Sequence, residues 1–582
     1  MALTIQNTDI IVAFGDAIDL AAGDDLFVTQ GTIVASGDGH GIDANTVGGD
    51  NGIHIEGTVI GGGTDNALQV STNSSVTITA TGTLTAFGIG GLSTLHLRDG
   101  GNSLVNSGTI TSSGGMGVNA SGGDNHITNF GTISGLDRGI LFQIGTEADT
   151  LVNHGLISAG DGAGDALSSD VGINMNKANV RVENHGTIAV SGAESAAIYA
   201  AYTPATNDTA QIVNTGEITS SHHGIRLDLT VDIDIVNSGL ISATSAAILG
   251  NDVNNHVRNT GTIIGDVDLG DGTDTFDTRG GTVIGEVRGG PGSDTYYVDD
   301  ASVVIVEELL EGFDTVYSTT SYTLGDNLEN LLLIGPGDLR GEGNAWGNVI
   351  TGGLGDDTLS GASGNDNLNG GFGADRLDGG EGIDLASYFD SAGWVNISLL
   401  TGFVGGGPGS HAVGDSFVSI ENLRGSVFAD RLNGDHGANF MRGDAGDDML
   451  RGRGGADTLN GDSGRDTADY EDSPAFVNIS LLTGFMGGGT GAHSLGDTLI
   501  SIENLTGSQF ADRLNGDNGN NVLQGRLGAD AGRQRRRGHR RLFRLGRLRE
   551  RVAADRLHRG RLRQPRHRRC AGGDREPHRL GP

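Results

Sequence analysis

Residues 352–387 read GGLGDDTLS-GASGNDNLN-GGFGADRLD-GGEGIDLAS, four consecutive nine-residue units of the form G-G-x-G-x-D-x-(apolar)-x. A period of nine is too short for a globular element and fits one tight turn followed by one short strand. Glycines at the first, second and fourth positions let the backbone turn sharply and bring carbonyl oxygens inward with no Cβ in the way. The sixth positions, Asp357, Asp366, Asp375 and Asp384, repeat a carboxylate at fixed spacing. The eighth positions, Leu359, Leu368, Leu377 and Ala386, point to the other face and stack into a narrow core. A Gly/Asp-rich linker needs no apolar residue at every ninth place.

Facing rows of carbonyls and carboxylates suit a hard, oxygen-seeking cation, and Ca²⁺ tolerates such flexible geometry better than Mg²⁺. The run resembles the calcium-binding parallel β-roll of the RTX (hemolysin-type) family. The resemblance implies Ca²⁺ as cofactor, each ion lying between one turn and the turn two repeats on. Carbonyls of Gly353, Gly355, Gly364, Gly371 and Gly373 and the four aspartates are the ligands it points to. Less regular units follow at Gly443–Asp469, with Asp448, Asp457 and Asp466 in the ligand position, preceded by a degenerate unit carrying Asn439. A third block opens at Gly516 with Asn521 in that position. Isolated units around Asp274 and Asp294 are expected to be weak or incomplete sites.

The first half carries a looser repeat. The triplet Gly-(Thr/Leu/Glu)-(Ile/Val/Leu) begins at Gly31, Gly57, Gly82, Gly108, Gly131, Gly155, Gly186, Gly216, Gly239 and Gly261. The spacing is uneven, widest from Gly155 to Gly186 and narrowest from Gly239 to Gly261. From Gly108 on, an asparagine stands two places earlier: Asn106, Asn129, Asn153, Asn184, Asn214, Asn237 and Asn259. Flanking residues alternate apolar and polar, as strands do. A period mostly in the twenties means stacked coils, each covering its neighbour's apolar edge. Asparagine tolerates the left-handed corners such coils need, and its side chains can bond along the stack. Residues 1–266 are therefore expected to form a right-handed parallel β-helix, similar to the passenger-type solenoids of bacterial surface proteins. The whole chain reads as all-β: this β-helix, isolated units over 267–300, β-rolls over 344–387 and 433–469, and the start of a third over 516–530. β-rich spacer modules fill 301–343, 388–432 and 470–515. The last two are duplicates: SYFDSAGWVNISLLTGF from Ser387 returns as DYEDSPAFVNISLLTGF from Asp469.

The chain has 582 residues, 103 glycines, one lysine (Lys177) and a formal net charge of −36. Such acidity repels nucleic acid and calls for cations. No stretch is apolar enough to span a bilayer as a helix, and the N-terminus lacks the basic start and apolar core of a cleaved signal peptide. The resemblance implies export by a type I channel that reads a C-terminal signal. Residues 531–582 break the pattern, with 19 arginines against 4 acidic residues and the single cysteine, Cys570. With one base dropped, Gly538–Phe543 back-translates to DTADYS, whose first five letters repeat Asp466–Tyr470. The tail is therefore read as a frameshift that has replaced the native C-terminus, and resequencing around codon 530 tests this.

H-E-x-x-H and G-x-S-x-G are absent, which removes the zinc protease and lipase often joined to such repeats. The protease-like string Gly461–Gly464 falls in nonapeptide register. Two functions are left. One is a secreted calcium-binding structural or adhesive protein, not an enzyme, whose partners are Ca²⁺ and an extracellular matrix, polysaccharide or cell surface. The other is a β-helix polysaccharide lyase or epimerase carrying calcium modules. Enzymes of that kind use Lys or Arg to neutralise a uronate carboxylate. Lys177, Arg98, Arg138, Arg181, Arg226 and Arg258 share no position in the repeat, which favours the first.

Overall fold

The computed structural model describes residues 3–45, 48–63, 65–87, 92–145, 147–160, 170–177, 179–201, 210–228, 232–526 and 530–531. No helix forms among them. The frameshift reading and Cys570 therefore lie outside the described residues, Ala531 apart.

In the first half, coils have three short strands with turns between them, the last two strands being fused in Leu240–Leu249. Ser75–Ile78, Thr83–Ala86 and Ser93–Leu97 make one such coil. Alternate side chains point inward, so Val76, Ile78, Leu84, Leu95 and Leu97 are fully buried. Each strand pairs in parallel with its equivalents one coil before and after: Val76 faces Ile53 on one side and Leu104 on the other. A slip of one residue would turn this apolar set outward, so the alternation fixes the register. At one corner the asparagines form a continuous buried chain. Nδ2 of Asn106 donates to Oδ1 of Asn129 at 2.7 Å, and the pattern repeats through Asn153, Asn184, Asn214 and Asn237 to Asn259. Beside them the triplet glycines stack backbone on backbone; a Cβ on Gly155 would lie 2.0 Å from the Gly131 carbonyl oxygen.

From about residue 255 the coil shortens. Thr275 pairs with Thr295 and Thr295 with Thr315, a period of 20. Beyond them Val349 pairs with Asn367, and Thr358 with Arg376, a period of 18 in which two nonapeptides make one coil. One parallel sheet of 22 strands runs unbroken from Leu3–Gln6 to Thr498–Ile500, through both kinds of coil.

The duplicated spacers are woven into this stack. In the first, Ser416–Val418 closes one face of the roll by pairing with Arg376–Asp378. Val395–Ser398 forms a hairpin with Phe403–Gly406 and opens a new face by pairing with Arg431–Asn433. The opposite face continues from Leu385–Ser387 to Asn422–Arg424. The second spacer repeats the exchange, with Thr498–Ile500 closing a face and Val477–Ser480 opening one.

Candidate metal centre

The sixth-position aspartates end each glycine turn just before a strand, and parallel stacking brings them into rows. On one face, Asn348 N–H donates to Asp366 Oδ1 (2.7 Å), Asp366 N–H to Asp384 Oδ1 (2.9 Å) and Asp384 N–H to Glu421 Oε2 (2.9 Å). On the other, Leu339 N–H reaches Asp357 Oδ1, Asp357 N–H reaches Asp375 Oδ1, and Asp375 N–H reaches Asp415 Oδ1. The second block repeats this through Asp430, Asp448, Asp466 and Glu503, and through Asn439, Asp457 and Asp497. Each carboxylate thus spends one oxygen on the backbone of the preceding coil.

The other oxygen is left over. Oδ2 of Asp366, Asp375, Asp384, Asp448, Asp457 and Asp466 is buried with no hydrogen-bond partner in the protein. Asp357 differs, because its Oδ2 accepts the N–H of Gly353 at 2.7 Å. Over the first glycines Gly361, Gly379, Gly443 and Gly461, the orphan oxygens of Asp366, Asp384, Asp448 and Asp466 converge with turn carbonyls. A Cβ on Gly361 would lie 2.1 Å from Asp366 Oδ2 and 2.5 Å from the Gly379 carbonyl; one on Gly461 would meet Asp466 Oδ2 and the Ser501 carbonyl at 2.5 and 2.4 Å. The turns reach this shape through left-handed glycines, with φ of +121° at Gly364, +85° at Gly371 and +135° at Gly373. Gly355 packs one coil below Gly373, whose added Cβ would lie 2.1 Å from the Gly355 oxygen.

Bare carboxylates dislike such a place. Burial pushes Asp448 up to about 8, and the neighbouring carboxylates of Asp430 and Asp466 add to it. Burial likewise takes Asp375 and Asp457 to about 7, with Asp415 and Asp497 contributing, and Asp366 and Asp466 to about 6. Asp357 and Asp384 are raised for the same first reason. An array of buried, mutually repelling oxygens is stabilised either by protons or by a cation.

The sequence pattern of the RTX calcium-binding nonapeptide repeat matches four times, at residues 351–386, 419–450, 433–468 and 501–531. The chain carries RTX calcium-binding repeats. No curated protein matches the sequence. RTX nonapeptides bind calcium, and the donor set fits: hard oxygens only, negatively charged, buried and converging.

Upstream of the matched RTX segments a row of the same kind occurs. Asn255 N–H donates to Asp274 Oδ1, Asp274 N–H to Asp294 Oδ1 and Asp294 N–H to Asp314 Oδ1, at 2.5, 2.7 and 2.8 Å. Oδ2 of Asp274 and of Asp294 is again buried and unpartnered. Burial drives Asp274 to about 8 and Asp294 to about 6. Units isolated in the sequence are thus consecutive in space.

Sequence reasoning passed over the acids that extend or end the RTX rows. Asp430 and Asp512 lie in GSVFADRLN and GSQFADRLN, nonapeptides without the second and fourth glycines. Glu421 and Glu503 lie in the duplicated SIENL, and Asp415 and Asp497 follow a glycine in the spacers. The signal that could have found them was the return of each of these strings, in the same order, in both spacers. Rows ending at Asp415 and Asp497 are closed by hydroxyls: Tyr388 donates to Asp415 Oδ2 at 2.7 Å and Tyr470 to Asp497 Oδ2 at 2.8 Å. Among the described residues, Asp16, His40 and Asp43 also gather ligand atoms within 4.8 Å. There His40 Nδ1 already lies 2.9 Å from Asp16 Oδ1.

Proposed function

We propose that this is a secreted calcium-binding structural or adhesive protein whose rolls become ordered on meeting Ca²⁺ outside the cell. The observation that carries the reading is the row of buried, unpartnered Oδ2 atoms, of which those of Asp366, Asp384, Asp448 and Asp466 face turn carbonyls. Asp366, Asp375, Asp384, Asp448, Asp457 and Asp466 supply those oxygens, and Asp357 joins them once its Oδ2 leaves Gly353. Carbonyls of the turns that hold Gly353, Gly355, Gly364, Gly371 and Gly373 complete the shell. Asp274 and Asp294 form a further site at the junction. When bound, calcium supplies the positive charge that lets neighbouring carboxylates pack unprotonated. The residues themselves set spacing and register, through Oδ1 and the backbone N–H one coil away. Affinities typical of extracellular modules, about 10⁻⁴–10⁻³ M, would keep the rolls metal-free inside a cell and filled outside it.

The first-half solenoid then serves as an extended surface toward a matrix, polysaccharide or cell surface. Its cationic side chains support a binding role over uronate chemistry. Lys177 is wholly buried against Asp149, while Arg181 and Arg226 pair with Glu183 and Asp228 in separate coils. Calcium titration of the full chain, followed by circular dichroism with Mg²⁺ as control, tests the reading. A gain of β signal with Ca²⁺ and not with Mg²⁺ is expected. An unchanged spectrum would reject it.

A further inference from the structure

Corners before strands of the 22-stranded sheet carry the same ladder in several stretches of the molecule. In the first half Ser74 N–H donates to Asn102 Oδ1 (3.0 Å), Asn102 N–H to Asn125 Oδ1 (3.3 Å) and Asn125 N–H to Asp149 Oδ1 (2.7 Å). This is the bond that links the aspartates of the rolls. Where the residue is asparagine, its Nδ2 turns toward carbonyl oxygens: Asn102 to Arg98 (2.8 Å), Asn125 to Ser121 (3.2 Å), Asn255 to Leu269 (2.7 Å) and Asn439 to Glu421 (2.7 Å). The amide brings its own partial positive charge to the place where the roll aspartates bring a bare oxygen.

Asp149 is a carboxylate within that asparagine stretch, and a carboxylate has no donor to offer. Its Oδ2 is met by Nζ of Lys177 at 3.0 Å, and the same ammonium donates to the Glu147 carbonyl at 2.5 Å. Both side chains are completely buried. Glu147 precedes Asp149 by two places, as Gly355 precedes Asp357, Gly364 precedes Asp366 and Gly373 precedes Asp375. Lys177 rises from the turn of the following coil, three places before Val180, which pairs with Asp149. It is the only lysine in the chain.

We propose that Lys177 is an internal cation: at Asp149 its ammonium fills a divalent-cation site of the kind occupied by calcium in the rolls, so this coil is ordered without metal. The inference rests on the ligand assignment proposed above, in which Oδ2 and turn carbonyls, those of Gly355, Gly364 and Gly373 among them, complete the shell of the ion. A covalently attached ammonium cannot be chelated or diluted away. The first-half ladder, built of asparagine amides and one ammonium, is then independent of calcium. The aspartate ladder stacked on the same sheet is not.

Hydrogen exchange on the full chain, with Ca²⁺, with Mg²⁺ or with a chelator, tests this on the strands Asp149–Asn153 and Val180–Asn184, with Thr358–Ser360 and Arg376–Asp378 as an internal control. In the wild type the first pair should be equally protected in all three conditions, and the second pair only with Ca²⁺. Lys177→Ala should lower protection of Asp149–Asn153 roughly tenfold or more in chelator, and Ca²⁺ but not Mg²⁺ should restore it. The double variant Lys177→Ala/Asp149→Asn should be protected in every condition, because it recreates the neighbouring asparagine coils. Full protection of Lys177→Ala in chelator would overturn the proposal, as would failure of Ca²⁺ to restore it. Loss of protection in the double variant would also overturn it. If the wild-type control strands ignored Ca²⁺, the fault would lie with the ligand assignment itself.

Discussion

Replacing Asp448 with asparagine should stabilise the calcium-free roll and weaken the calcium-loaded one. Asp448 is 1% exposed; its Oδ1 holds the Asp430 N–H at 2.7 Å and its Oδ2 has no partner in the protein. Burial raises its carboxyl from 3.8 to about 8. Because the folded value exceeds the unfolded one, the folded calcium-free chain retains a proton that the unfolded chain releases. The residue therefore costs nothing below about pH 4 and progressively more up to about pH 8. At pH 7 the interval is about three pH units, which at 1.36 kcal/mol each gives a penalty on the order of 4 kcal/mol. Asn439 demonstrates the neutral alternative: its N–H bonds Asp457 Oδ1 and its Nδ2 bonds the Glu421 carbonyl. Protection of Met449–Arg451 against hydrogen exchange, corrected for intrinsic rates, reads the effect locally between pH 5 and 8. In chelator the wild type should lose protection as pH rises, the variant should lose less, and saturating Ca²⁺ should reverse their order. A variant no better protected than wild type at pH 8 in chelator would refute the argument.

Three further outcomes follow from the same packing. Leu377→Ala removes a fully buried side chain paired with Leu359 and Phe417, and should cost about 2–5 kcal/mol with or without Ca²⁺ by denaturant titration. Gly361→Ala should abolish binding at its own turn and leave the second block intact, as site-resolved calcium titration would show. Its Cβ would sit 2.1 Å from Asp366 Oδ2 and 2.5 Å from a backbone oxygen that cannot swing away. Tyr388→Phe takes the hydroxyl from Asp415 Oδ2, whose other oxygen holds Asp375 N–H; a loss of about 1–3 kcal/mol is expected in thermal unfolding, largest near neutral pH where Asp415 must ionise.

How much of this was legible depended on whether one period served both chain and coil. The nonapeptides were, because each unit is a whole turn and strand, and two of them close one coil, as Thr358 pairing with Arg376 shows. The asparagines of the triplet corner were too, since each stands at the same offset from its glycine. Asp274, Asp294 and Asp314 were harder. Their coils, from Thr275 to Thr295 and on to Thr315, are not a multiple of nine, so the glycine turns before Asp274 and Asp294 stand singly in the chain and Asp314 keeps only Gly312. Asp415 and Glu421 stand far along the chain from Asp375 and Asp384, the carboxylates they join, a distance set by the inserted spacer hairpin. Lys177 offered no pattern, and its meaning comes only from the carboxylate it touches.

The sequence alone determined the strand alternation, the turn glycines and the kind of oxygen each corner presents, because these are local: they depend on a residue's neighbours within one coil. It thereby determined that the second half needs a hard cation. Which carboxylates become neighbours, that one sheet carries the asparagine and aspartate ladders together, and which oxygens are left without a donor were decided only by the stacking of coils. Stacking joins Asp357 to Asp375 across a single coil and Asp375 to Asp415 across a whole spacer by the same bond. The length of chain spent between two corners is free to vary so long as the strands return to register.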